Sequence, residues 1–512
     1  MAVFAVSLYL GLQQEVQWLR PTRDYFGAIM NNWKYPQISA TNTTSDWNIL
    51  YHLGGNGPWI PKVDGVVEGG LAPPEGCRVE QVHMVRALHQ TVFPILVPEL
   101  FAGGQTQRTI PNKSNSRNTE MVSLHNRLRT LDFNLQGDLS FFHNWTFFMP
   151  QNYTSEIGKL IPTGPYAGTL GAFAAGVSLR TQYPDLQAAS LSRNQTNFWA
   201  ADSHRVEESA KYFAAGFWGI EWRDVARLQV IPETKELGAD TLTTGVTCVD
   251  YLRPHNPEGR HKGLHKLVEW QKHYVPPIIA RMESQNPGLN LTIHEVFSMQ
   301  QLCGFEILAR GSSLWCNIFT EHEWKDFEYA RDLLHYYRTG PGNKYSSARG
   351  FPFLNATTNI LSTGPSAGSI FFSFVHDGDI LPLLSTLDLF PSSPLPTDHA
   401  PEPRVWKISD VVPMGGRVIF ERLACPQIYC HSNAPLYPNH IYCDPPKDEP
   451  YIRVIINDGV VAIPDCQDGP GKSCALASFE RKVMLRGWEV GDFGKTCGLE
   501  EGAADKVTFL HQ

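Results

Sequence analysis

Two stretches of this chain read as strands that belong inside a sheet covered on both faces. Residues 370–375, Ile-Phe-Phe-Ser-Phe-Val, carry no charge, and residues 79–85 alternate and then run apolar. Such strands are typical of the doubly covered part of an α/β sheet. A small-residue loop, 364–369, leads into the later strand; His376 and Asp377 follow it, and a helical pattern then runs over about 380–389. Residues 206–218 set small and aromatic side chains at helical spacing behind Ser203, a residue type suited to an N-cap. Segments 451–456 and 460–463 flank Asn457-Asp458-Gly459 and predict a hairpin. Segments 262–285, 291–308 and 321–337 predict a helix-rich, strand-poor middle third. Strands alternating with helices make the expected class an α/β layered domain.

At 512 residues the chain can bury a large core. Its net charge of −8 and the lack of a basic run give no electrostatic reason to expect nucleic acid or an anionic membrane. Ten cysteines are dispersed rather than clustered, which favours disulfides in an oxidising compartment over a metal site. Proximity pairs Cys303 with Cys316 and Cys466 with Cys474. Seven Asn-X-Ser/Thr sites, at Asn42, Asn112, Asn144, Asn152, Asn194, Asn290 and Asn355, point the same way. The expected location is the secretory pathway, secreted or lumenal. Residues 2–12 are apolar without a basic flank and too short to span a bilayer. They read either as the truncated end of a signal peptide or signal anchor, or as an arm against the body or a partner subunit. The oligomeric state is left open, a homodimer included.

Residues 82–94, VHMVRALHQTVFP, resemble the N-terminal signature of the histidine acid phosphatases, the family of fungal phytases and acid phosphatases, which reads roughly VHMxxRHGxRxPT. The likeness continues through LGGNGPWIPK at 53–62, PPEGCRVEQVHM at 73–84, WTFFMP, TGPYAGTLGAF and the segments 201–219, 372–390 and 451–474. It covers roughly residues 53–497. The resemblance implies an α/β domain with a mixed central sheet and an inserted, smaller α-helical domain. Approximate boundaries are an N-terminal arm over 1–75, the α/β domain over 76–140 and 340–512, and the helical insertion over 141–339. It places the pocket between the two domains, at the C-terminal ends of the strands. It also implies a bridge between Cys248 and Cys497, leaving Cys77, Cys425, Cys430 and Cys443 unassigned.

In gapless register the family's Arg-His-Gly-x-Arg falls on Ala87, Leu88, His89, Gln90 and Thr91. One inserted residue instead brings His89 to the nucleophile position, with Leu88 and Val92 at the arginine positions. Either register removes both arginines, so ordinary phosphoryl transfer is not expected. By position, the resemblance retains Arg205 as an anion anchor and His376 with Asp377 as the later catalytic pair. A closed pocket is expected to raise the Asp377 pKa enough for proton donation. Ala87, Leu88, His89, Thr91, Val92 and Phe93 then form a mostly apolar floor, suited to a small hydrophobic organic ligand that is neutral or singly carboxylated. The expected function is a repurposed scaffold carrying out a cofactor-free cyclisation or isomerisation, of pericyclic Diels-Alder type among the options, in fungal secondary metabolism. Arg205, His376 and Asp377 would be its catalytic residues, with no metal and no organic cofactor. The alternative is a non-catalytic secreted glycoprotein that binds a ligand or partner. Trp199, Phe217 and Trp218 read as core, and His261, His265 and His273 as a solvated helix face. No Gly-x-Ser-x-Gly, Walker loop, dinucleotide fingerprint or His-Glu-x-x-His is present.

Overall fold

Strand β1, Arg78–Ala87, is buried along its last seven residues, and it lies in the interior of the sheet. The structure, a computed structural model, describes residues 47–87, 119–148, 167–390, 393–432 and 441–512. The other strands are β2 Asn197–Ala201, β3 Arg227–Ile231, β4 Ile370–Val375, β5 Arg417–Gln427, β6 Cys430–Ser432, β7 Ile441–Cys443, β8 Lys447–Ile456, β9 Gly459–Val461 and β10 Cys474–Ala475. The main sheet runs β10-β8-β5-β1-β4-β2-β3, with β9 on β8, while β6 and β7 pair separately. Neighbours β1, β4, β2 and β3 are parallel; β5, β8, β9 and β10 join antiparallel. The sheet is therefore mixed, as the family likeness implies. All six residues of β4 are buried, which explains a strand without a polar face. Val82 sits opposite Ile370 and Ala87 opposite Val375, so β1 and β4 end together.

Nine helices matter here: α1 Thr119–Arg129, α2 Ala167–Gln182, α3 His204–Phe217, α4 Lys262–Gln285, α5 Ile293–Arg310, α6 Glu321–Arg338, α7 Ser346–Thr363, α8 Asp377–Thr386 and α9 Leu476–Val490. Capping boxes start α5 (Thr292 with Glu295) and α6 (Thr320 with Glu323). Ser203 occupies the N-cap position of α3 in extended backbone, although its hydroxyl makes no cap bond. Helices α2 and α3 cross at Gly176 and Gly216. A Cβ on either would fall on the other helix's backbone, at the carbonyls of Phe213 and Phe173. This close crossing seats Phe213 and Phe217 edge-on against Phe372, with centroids 5.1 and 4.9 Å apart. Trp199, Phe217 and Trp218 are core, in line with the sequence reading. The turn between β8 and β9 places Asn457 and Asp458 at φ of 45° and 62°, as expected for this hairpin.

Two boundaries differ from expectation. Strands β2 and β3 belong to the main sheet, so the stretch 141–339 is not wholly a helical insertion; its strand-free run of long helices is α4, α5 and α6, while α2 and α3 flank β2. Residues 48–75 are not a free arm. Leu53 and Ile60 are buried, Lys62 pairs with Asp410 at 3.5 Å, and Arg453 donates to the carbonyls of Leu71 and Ala72. Asn48–Gln512 forms one compact unit. The apolar run 2–12 lies outside the described residues, among which no helix is long and apolar enough to cross a membrane.

All ten cysteines are paired. The bridges Cys248–Cys497, Cys303–Cys316 and Cys466–Cys474 match expectation, and the structure adds Cys77–Cys425 and Cys430–Cys443. Five disulfides fit a protein of the secretory pathway. Asn144, Asn194 and Asn290 are exposed and Asn355 is half-buried; Asn42, Asn112 and Asn152 lie outside the described residues. Among the described residues, the cluster Cys466, Asp468 and Cys474 has metal-like proximity, but its two sulfurs are joined to each other.

Candidate active site

The parallel half of the sheet determines which residues meet. Chain leaving β2 enters α3 with Arg205 as its second residue, chain leaving β3 reaches Glu233, and chain leaving β4 gives His376 and Asp377 at the start of α8. These neighbouring strand ends open on a cavity of about 420 Å³ whose far wall comes from α5 and α6. Arg205, His376 and Asp377 all line it, as expected. Of the expected floor, Ala87 is described and is buried at the end of β1. Leu88, His89, Thr91, Val92 and Phe93 lie outside the described residues, as does the question of register.

His376 is held from both sides. Its Nε2 meets Glu233 Oε1 at 2.8 Å and its Nδ1 faces Arg205 Nη2 at 3.4 Å. Since guanidinium only donates, Nδ1 accepts and Nε2 carries the hydrogen to Glu233. Burial lowers the His376 pKa, but the Glu233 bond and the charge of Asp379 outweigh it, and the net shift is upward. The Nε and Nη1 groups of Arg205 are buried without a hydrogen-bond partner in the protein. Burial pulls its pKa down against the attraction of Asp377 and Glu233.

Asp377 differs from expectation. Burial pushes its pKa up, but His335, Arg338, His376 and Arg331 together hold it below the usual carboxylate value. An ionised Asp377 donates no proton until an arriving anion offsets the Arg338 and Arg331 charges. Asp379, two residues on, goes the other way: burial raises it to about 6. It accepts from the His376 backbone N–H at 3.3 Å.

Residues outside the expected set complete the lining. Arg331, His335 and Arg338 follow helical spacing on α6 and face the cavity together. Arg331 Nε donates to the Gly54 carbonyl at 2.9 Å and its Nη2 donates to His335 Nε2 at 2.9 Å. Burial, then the Arg331 charge, lowers His335 to about 3, so it is neutral; its Nδ1 has no hydrogen-bond partner. Arg349, from α7, donates to Thr339 Oγ1 at 3.1 Å and stacks over Tyr251 at 4.2 Å. With Arg205 and Arg260, five arginines line the cavity against three carboxylates, Glu233, Asp377 and Asp379. The expectation of a hydrophobic ligand rested on residues 87–93, of which only Ala87 is described; the described lining combines five guanidinium groups with apolar side chains. Its apolar part, Leu252, Leu267, Phe297, Phe305 and Leu334, belongs mainly to the helical wall. The helical spacing of Arg331, His335 and Arg338 was a usable sequence signal, whereas Glu233 and Arg349 carried none. His83, in the phosphatase-like lead-in, is core: it stacks on Phe371 at 4.3 Å, and burial lowers its pKa to about 3.

Comparison with known proteins gives a consistent result. Residues 107–457 match the histidine phosphatase superfamily (branch 2). The match begins downstream of 82–94, the stretch on which the first motif was aligned. A phytase of Candida albicans is 31% identical over 473 residues, covering 91% of this chain and 90% of the relative. An acid phosphatase of Komagataella pastoris is 29% identical over 484 residues, covering 93% and 91%. The crystal structure of the phytase from D. castellii aligns with a TM-score of 0.73 at 26% identity and covers 93% of both chains.

Proposed function

Because this chain belongs to branch 2 of the histidine phosphatase superfamily, we propose that its cavity binds phosphate monoesters and turns them over slowly at best. One observation carries the binding half: Arg205 presents two buried, unpartnered N–H groups of its guanidinium to a cavity lined by four further arginines. A guanidinium fork matches the oxygens of a phosphate, and a desolvated one gains most from a charged acceptor. The acid phosphatase and phytase names of the relatives support the same ligand class. The slow-turnover half rests on residues 87–91, which supply neither of the family's paired arginines. His89 is the only histidine between residues 88 and 118, so a phosphohistidine route that uses the first motif runs through it.

The experiment has two arms. Calorimetry with inorganic phosphate should show binding that Arg205→Ala abolishes. Hydrolysis of p-nitrophenyl phosphate or phytate from pH 2.5 to 7 should fall more than about a hundredfold below that of an ordinary member, since each missing electrostatic donor removes roughly 10²–10³ in rate. Turnover within that margin, abolished by His89→Ala, would refute the slow-turnover half.

The second reading is the cofactor-free cyclisation of a hydrophobic substrate. It draws on buried Ala87 at the end of β1 and on Phe297, Phe305 and Leu334 in the wall. It predicts tighter binding of a hydrophobic monocarboxylic acid than of phosphate, so the same calorimetry separates the two.

A further inference from the structure

Glu233 has no role in the sequence reading, yet it makes the shortest polar contact to the family's later histidine. It lies two residues past β3, the edge strand, beside the chain that leaves β2 toward Arg205. Glu233, His376 and Arg205 thus come from three neighbouring strand ends and meet in one line: Oε1 to Nε2 at 2.8 Å, then Nδ1 to Nη2 at 3.4 Å. All three line the cavity.

We propose that Glu233 is a positioning residue: it fixes His376 as the Nε2–H tautomer, so that Nδ1 is the nitrogen turned toward Arg205 and the ligand. A proton taken up at Nδ1 then makes His376 a second cationic donor to an anion, while Glu233 compensates the charge from behind. Arg205 also favours Nδ1 as the lone-pair nitrogen, but its contact at 3.4 Å is the longer of the two, and without Glu233 the preference weakens, because an imidazole tautomer is set mainly by the stronger bond its other nitrogen makes. Arg205, Asp377 and Asp379 also act on the ring. Arg349 acts on Asp379, and Arg331, His335 and Arg338 act on Asp377. Among them Glu233 makes the direct hydrogen bond to Nε2, which is why its removal should have a distinct signature.

This inference rests on the phosphate-ester reading for the identity of the ligand, but its first readout needs no ligand. In full-length, histidine-labelled protein, nitrogen chemical shifts should report His376 as the Nε2–H tautomer. Glu233→Gln keeps an acceptor oxygen and loses the charge; the tautomer should persist while the His376 titration midpoint drops by about one unit or more. Glu233→Leu should weaken the tautomer preference as well, and Glu233→Asp should restore part of both. Inorganic phosphate should bind wild type more tightly at pH 5 than at pH 7.5, with that ratio reduced at least about threefold in Glu233→Gln. A merely structural Glu233 would leave both tautomer and midpoint in place. An unchanged midpoint in folded Glu233→Gln, or an unchanged tautomer in folded Glu233→Leu, overturns the proposal. If the midpoint moves as stated but phosphate binds no form at any pH, the ligand reading falls and the role of Glu233 stands.

Discussion

Replacing Arg205 with methionine should make the ligand-free protein more stable while destroying anion binding. The guanidinium is mostly desolvated, two of its nitrogen groups lack a partner, and burial lowers its pKa. An unsatisfied buried polar group costs about 1–3 kcal/mol, and a methionine of similar length removes that penalty. The attraction of Arg205 to Asp377 and Glu233 is lost too, which offsets about 1 kcal/mol in a cavity open to water. The balance is a gain of about 1 kcal/mol. For a unit as large as Asn48–Gln512 the unfolding entropy is on the order of 1 kcal/mol per degree, so Tm rises by only about 1 °C. Urea unfolding is therefore the better assay, as a raised midpoint at unchanged slope. Phosphate at about 100 times its Kd should then stabilise wild type by about 2.7 kcal/mol and leave the variant unmoved. A variant less stable than wild type without ligand, or stabilised equally by phosphate, would refute the argument that Arg205 is held for binding at the expense of stability.

Other outcomes follow from the same geometry. The Asp379 carboxyl has a folded pKa of about 6, above its ordinary value, so folding favours its protonated form. Its destabilising contribution is absent below about pH 4, grows as pH rises to about 6 and is fully present above. Asp379→Asn should therefore raise the urea midpoint at pH 7.5 and leave it nearly unchanged at pH 4; equal shifts at both would contradict the assignment. Gly216→Ala places a methyl on the Phe173 carbonyl and should destabilise by about 2 kcal/mol or more, read as a lowered urea midpoint. Protein from a eukaryotic secretory host should show almost no free thiols when denatured and lose mass on deglycosylation, with Asn144, Asn194 and Asn290 the most accessible sites. Most cysteines reduced would contradict the secretory assignment.

Local pattern was enough for the elements whose physics is local. Strand β4 could be read because a six-residue run without charge has no solvated face, and α4 because its apolar residues keep helical spacing over 24 residues. Asn457-Asp458-Gly459 announced its hairpin because few residues tolerate positive φ. Arg205, His376 and Asp377 were legible from the family likeness, and the structure does bring them together. Other features depended on contacts distant in sequence. Cys77 and Cys425, 348 residues apart, pair because β5 lies antiparallel on β1. Glu233 sits in a polar segment with no signature and meets His376 only because β3 ends two strands from β4. The charge state of Asp377 was misjudged for the same reason: burial alone raises a carboxyl, but Arg331, His335 and Arg338 reverse the shift, and their approach is set by how α6 packs across the cavity. Sequence determines which groups can ionise; the dielectric and the neighbouring charges that determine how strongly they do so exist only once the chain is folded.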